Sequence, residues 1–459
     1  MNESFPDPPT SRVSTFVSWL IIVGACVAMV FLQREMVNTR QDIGPNDAQR
    51  ENVMLRMTSR YAVGAARIAS SLSPTPGANE DLESQFAAQL DMEAARPVDR
   101  TRVAIIIGEL AGKDAALERL DAMGVVGGDQ STARDVALLR TIYNDGPRAL
   151  DERQREALIE RHHWYGQLAL THGLPPNDPQ RRDAVAPAMR TVISAVVFVL
   201  AALLAGMLGF VLLIVGIVML ATGKLKRQGA DHAPGQPRHP ALLETVAIFL
   251  VGLIGVSMLT AAIEQRFDFD ATGLTIWLLP LVFFWPRLRG MSGGDLRAAL
   301  GWHRGKGVFI EALCGVMGHF AGLPLLAVGL VFVIVFASFG YEAAHHPMID
   351  ELFGAGWADI VLLYILACVW APLVEESLFR GAFYHHLRRP IGAVLAAAVT
   401  GFLFAVIHPQ GVVAVPVLMS LGFTFAMIRE WRGSLIGPMA AHAFNNLVAV
   451  TLMLLLLGG

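Results

Sequence analysis

The fold class this chain predicts is all-α: a polytopic membrane helix bundle with an inserted soluble helical domain. Three observations lead there. Of 459 residues, 54% are hydrophobic and only 16% charged, with a mean hydropathy of +0.49, whereas a soluble domain carries about 25% charged residues. Apolar runs of about 20 residues, the length that crosses a bilayer, recur along the chain. Between the first and second of them, a mixed-charge stretch sets its apolar residues at helical spacing.

The first apolar run covers residues 13–32 and ends before Arg34. Val23-Gly24-Ala25-Cys26 has the form of a lipoprotein cleavage box, but the run continues from Val27 to Leu32. The preceding flank also sets Glu3 and Asp7 against Arg12, the reverse of a signal peptide's basic start. Residues 1–32 therefore read as an uncleaved membrane anchor. Residues 33–189 read as a small helical domain, with Pro and Gly clusters between amphipathic segments such as DERQREALIERHHWYGQLAL. No fixed-period repeat signature runs through it. His162 and His163 lie there without a partner cluster, which favours packing or surface roles over metal binding.

From residue 190 to 459 the chain returns to the membrane. Expected spans are 191–222, 241–263, 271–286, 308–338, 357–387, 391–408, 411–428 and 434–457, which with the anchor make about nine. Alternate loops are basic: Lys224, Lys226, Arg227 and Arg238; then Arg287, Arg289, Arg297, Arg304 and Lys306; then Arg388 and Arg389; then Arg429 and Arg432. The others carry acids, including Glu264, Asp268, Asp270, Glu342, Asp350 and Glu351. Basic loops stay cytoplasmic, so the N-terminus is expected inside and residues 33–189 outside.

Composition also excludes some classes. A net charge of -3 and a pI near 6.5, without a basic stripe, give no case for nucleic-acid binding. Cys26, Cys314 and Cys368 all sit in apolar segments, so neither a disulfide framework nor a cysteine zinc motif is expected.

Three polar clusters interrupt the apolar C-terminal third: Glu375-Glu376 with Arg380, Phe404 with His408, and His442 with Asn446. An ionisable group in a membrane segment costs about 2.5–3.5 kcal/mol on insertion scales and is retained mostly where it pairs or reacts. Glu376 and Arg380 stand at i and i+4, on one helix face, and can pair. Glu375 points about 100° away and lacks that partner. A carboxylate in an apolar surround within reach of a histidine is a credible general base for water. His442 and Asn446 are again i and i+4, two side-chain donors for a developing oxyanion. A buried polar network that merely fastens helices is the bland alternative. Glu244, Glu311, His319 and Asp359, near or inside spans, carry no motif and read as interface or cavity positions.

In order, E-E-x-x-x-R, F-x-x-x-H and H-x-x-x-N resemble the motifs of the family that joins CAAX-processing prenyl endopeptidases to bacteriocin-processing and immunity (Abi-type) proteins. The resemblance spans roughly residues 245–457 and leaves residues 33–189 outside it. It implies an intramembrane endopeptidase in which Glu375 and His408 activate water, His442 and Asn446 polarise the scissile carbonyl, and Glu376 with Arg380 supports the site. Its substrate would be a peptide or membrane protein, in some members prenylated, met within membrane lipid. Residues 33–189 are available for a protein partner. A bacterial inner membrane is the expected location. The family is called metalloprotease, and a purely glutamate-driven mechanism is also argued for it. Glu375, His408 and His442 offer three N/O ligands for a divalent metal such as zinc, yet no H-E-x-x-H pair accompanies them and Asn446 is a poor zinc ligand. Two rival classes remain open: a transporter or channel using the same charges, against which the lack of an evident inverted repeat counts, and a silent scaffold.

Overall fold

The computed structural model describes residues 9–41, 52–72, 80–123, 130–225, 239–267, 271, 275–339 and 356–457. Every regular element among the described residues is helical. Two compact units emerge, Met1–Gln41 with Ala202–Val450, and Asp42–Ala201 with Thr451–Gly459. Of the loop residues expected to set orientation, Lys226, Arg227, Arg238, Asp268, Asp270, Glu342, Asp350 and Glu351 lie outside the described residues.

Helix α1 (Pro9–Gln41) opens the first unit. The second unit then runs through α2 (Val53–Leu72), α3 (Glu80–Glu93), α4 (Pro97–Leu110), α5 (Lys113–Met123), α6 (Gln130–Asp145), α7 (Glu152–His162) and α8 (Trp164–Leu170) into the start of α9 (Pro179–Ala221). Its centre is α4, where Val103, Ala104, Ile105, Ile106 and Ile107 are all buried. Pro97 at the first turn costs α4 no hydrogen bond, because the first N–H groups of a helix have no partner within it. The start of α7 is written in DERQ: Asp151 accepts from the Gln154 N–H at 2.8 Å, and the Gln154 side chain accepts from the Asp151 N–H at 2.9 Å. His162 is buried at the other end of α7, its Nε2 3.2 Å from Asp135.

The first unit continues with α10 (Pro240–Phe267), a 3-10 segment (Ile276–Phe284), α11 (Trp285–Leu288), α12 (Gly293–Leu300), α13 (Val308–Ser338), α14 (Trp357–Ile391), α15 (Ala393–Val406), α16 (Val415–Arg432) and α17 (Ile436–Leu457). Among the described residues, seven helices are long and apolar enough to cross a membrane. Two of the roughly nine expected spans are shorter: Ile276–Leu288, largely 3-10 around Pro280, and α15. Fourteen helical residues reach only about 21 Å at 1.5 Å each, short of a hydrocarbon core of about 30 Å.

The short α15 packs closely on α16. A Cβ on Gly422 would lie 2.6 Å from the Gly401 Cα, and one on Gly401 would lie 2.6 Å from the Met419 carbonyl, so both positions require glycine. Arg429 and Arg432, expected in a basic loop, are instead the buried end of α16. For Arg432 the reason is pairing. Arg432 holds Glu311 of α13 through two bonds of 2.8 and 2.7 Å, while the adjacent Glu430 accepts from Arg388 and from the Tyr384 hydroxyl. Arg289 clasps Glu244 of α10 in the same two-pronged manner, at 2.9 and 3.1 Å.

Candidate active site

Pro372 shapes the helix that carries the first cluster. Residues Leu366–Trp370 form a widened π turn, in which the Ala371 N–H bonds to the Leu366 carbonyl five residues back. The next bond in that register would run from residue 372 to the Ala367 carbonyl, and proline has no N–H to give. Asn446 of α17 fills the role, its side-chain amide donating to the Ala367 carbonyl at 2.8 Å. A second π turn covers Ser377–Phe383, immediately after the two glutamates. Such turns occur often at functional sites.

Glu376 and Arg380 pair as the i, i+4 spacing predicts, Nη1 to Oε1 at 2.8 Å, with both side chains wholly buried. Arg380 also donates through Nη2 to the Gly422 carbonyl at 2.9 Å, in the close α15–α16 contact. The same Glu376 oxygen accepts from His442 Nδ1 at 2.9 Å. Spacing within one helix carries no sign of that link, because residues 376 and 442 meet only in the tertiary fold. With Nδ1 protonated toward Glu376, a neutral His442 presents Nε2 as an acceptor.

His408 is positioned by the shortness of α15, which stops at Val406 and leaves the following turn within the bundle. Non-helical backbone at membrane depth persists only where protein or a water-filled cavity surrounds it. The His408 Nδ1 donates to the Phe404 carbonyl, which leaves Nε2 to face Glu375. Glu375 Oε2 lies 3.9 Å from His408 Nε2 and 4.0 Å from His442 Nε2. Residual exposure separates the two glutamates: the Glu375 side chain keeps 17% and Glu376 none. Glu375 thus keeps an exposed edge while its Oε2 is buried without a hydrogen-bond partner, and Glu376 is wholly enclosed.

Phe404 forms an aromatic floor under this group. Its ring centroid is 4.3 Å from that of His408 and 5.9 Å from that of His442, and the Arg380 guanidinium lies 4.7 Å above it. Phe425 stacks on His442 from the other side at 5.2 Å. Asn445, which the motif does not include, donates to Asn446 Oδ1 at 3.2 Å and fixes its amide. Glu375, Glu376, Arg380, His408 and His442 therefore gather in one place. Asn446 is tied to them through α14, with one amide N–H spent on Ala367 and the second remaining.

The metal expectation for Glu375, His408 and His442 meets a geometric obstacle. Both imidazoles hold the tautomer a metal ligand needs, but tetrahedral zinc with bonds of about 2.0–2.2 Å sets its ligand atoms roughly 3.4 Å apart. The separations of 3.9 and 4.0 Å exceed that. Among the described residues, no group of three or more His, Cys, Asp or Glu side chains is arranged to hold a metal ion.

Residues 357–448, which contain all three clusters, match the family model for type II CAAX prenyl endopeptidase Rce1-like proteins. At family level the match supports a CAAX-type intramembrane protease, which implies a peptide substrate. Together with the seven apolar helices it marks an integral membrane protein. No curated protein and no solved structure matches the chain.

Proposed function

We propose that the chain is a glutamate-type intramembrane endopeptidase. One observation carries the reading: a single Glu375 oxygen faces the Nε2 atoms of two histidines, at 3.9 and 4.0 Å. A water bonded at about 2.8 Å to the carboxylate and to His408 fits such a gap, giving one proton to each acceptor and aiming its lone pair outward. Glu375 takes the water's proton as the oxygen attacks the scissile carbonyl carbon. The second Asn446 N–H meets the oxyanion, and His442 joins it when Nε2 also carries a proton, as an imidazolium whose Nδ1–H stays on Glu376. When the C–N bond breaks, the carboxylic acid returns its proton to the leaving nitrogen. Glu376 and Arg380 touch no reacting atom and hold His442 in register.

The substrate in this reading is a peptide or membrane-protein segment, prenylated in the manner the family name describes, that reaches the site within the bilayer. Residues 33–189 form an extracytoplasmic helical domain that presents a protein-binding surface, and the compartment is a bacterial inner membrane. The test is product formation from a peptide library in proteoliposomes, comparing the full chain with Glu375→Gln and His408→Ala at matched melting temperature. Each variant is expected to lose cleavage by at least 100-fold, in line with the typical contribution of a general base. Ion or proton flux that depends on Glu375, with no peptide cleaved, is the result that sinks the protease reading in favour of transport.

A further inference from the structure

A second polar cluster lies between α14 and α16, apart from Glu375. A small cavity of about 20 Å³ is lined there by Arg380, Tyr384, Arg388, Arg389, Arg429 and Glu430, with His385 at its side. The charges do not balance. Arg380 is matched by Glu376 and Arg388 by Glu430, and Arg389 is exposed at the end of α14. Arg429 is only 4% exposed, and its one hydrogen bond runs from Nη1 to the Gly433 carbonyl, a neutral acceptor. The Nε of Arg429 and the Nε of Arg380 are both buried without a hydrogen-bond partner. Room for the Arg429 guanidinium is built into the backbone, since a Cβ on Gly301 would lie 2.3 Å from its Nη2.

A buried charge demands a counter-charge, and water supplies none. About 10–15 Å³ is enough to hold one water-sized particle, so a cavity of about 20 Å³ has room for one small ion. We propose that this cavity is a binding site for a single halide-sized anion, chloride in the usual milieu, held between the Arg429 and Arg380 guanidinium groups and reached past Arg389. The proposal does not rest on the protease reading. It gives Arg380 two roles, as partner of Glu376 on one side and as wall of the anion site on the other.

The experiment uses the full chain in detergent, exchanged into gluconate and titrated with chloride at constant ionic strength. Ligand that binds only the folded state raises the melting temperature, with a rise that grows as the logarithm of chloride concentration above the dissociation constant; this is expected for the wild type and absent in Arg429→Gln. Should that variant fail to fold, bromide exchanged into crystals of the wild type gives the answer directly, as an anomalous peak beside Arg429 Nε. A wild-type melting temperature equal in chloride and gluconate, with no bromide peak, overturns the proposal. Stabilisation by phosphatidylglycerol vesicles over phosphatidylcholine vesicles, with chloride inert, overturns it in favour of a lipid phosphate oxygen at the same arginines.

Discussion

The Asn446 side chain donates to the Ala367 carbonyl at 2.8 Å, at the one place in the π turn where Pro372 withholds the backbone donor. A proline in α14 and an asparagine in α17 are thereby complementary parts of one hydrogen-bonding scheme, and the third motif is anchored to the helix that carries the first.

That relationship makes a coupling prediction. Asn446→Ala leaves a buried carbonyl without its donor, a loss of about 1–3 kcal/mol. Pro372→Ala restores a backbone N–H, so the double variant should recover much of the loss. Denaturation midpoints for the four members of the cycle decide it, and strictly additive effects would show that the two residues do not share the Ala367 carbonyl.

Arg380 and Glu376 are both wholly buried and paired at 2.8 Å. Removing one partner of such a pair costs about 3–5 kcal/mol, because a buried charge is stranded. Arg380→Ala should therefore lower stability sharply, while Arg380→Met with Glu376→Gln should return most of it and keep a side-chain acceptor for His442 Nδ1. Thermal melts in detergent test this, and an unaltered melting point for Arg380→Ala would argue against the pair.

The second unit carries a pH dependence. Burial drives the His162 pKa below its ordinary value of about 6.5, and the opposing pull of Asp135 does not restore it. The unfolded chain takes up this proton near pH 6.5, while the folded chain resists until lower pH. The stabilisation is therefore full above about pH 6.5 and is lost as pH falls through the window down to the folded value. For Glu109, burial pushes the carboxyl up, but hydrogen bonds from His172 and Arg181 outweigh it and leave the pKa lowered. Its contribution is full above the ordinary carboxylate range and is lost as pH falls from there toward the lowered folded value. Hydrogen-exchange protection of α4 and α7 in the full chain should fall between pH 7.5 and pH 5.5, and His162→Gln should flatten that step. Equal slopes in both proteins would assign the acid sensitivity elsewhere.

Orientation is open to direct labelling. Single cysteines at Asp91 and Arg297, in a chain whose Cys26, Cys314 and Cys368 are replaced, should react with an impermeant thiol reagent in intact cells only at position 91. The positive-inside pattern sets this expectation. Reaction at 297 alone would invert the arrangement and the side from which substrate enters.

By itself the sequence determined the features that depend on near neighbours along the chain. Helicity and membrane insertion are written in local hydropathy and period, the Asp151–Gln154 cap in four consecutive residues, and the Glu376–Arg380 pair in an i, i+4 step. The gathering of Glu375, His408 and His442 was legible only as an expectation from three ordered motifs. Only the tertiary structure decided how they face one another. His442 turns its Nδ1 to Glu376 and its Nε2 to Glu375 because α17 packs beside α14, a choice that no spacing within one helix encodes. The arginines at 429 and 432 looked like loop cations because charge count ignores partners. Their burial depends on neighbours far away in sequence: Glu311 opposite Arg432, and the Gly301 backbone opposite Arg429. Desolvation is set by what surrounds a side chain in space, so a buried cation and a solvated one read alike until the chain is folded.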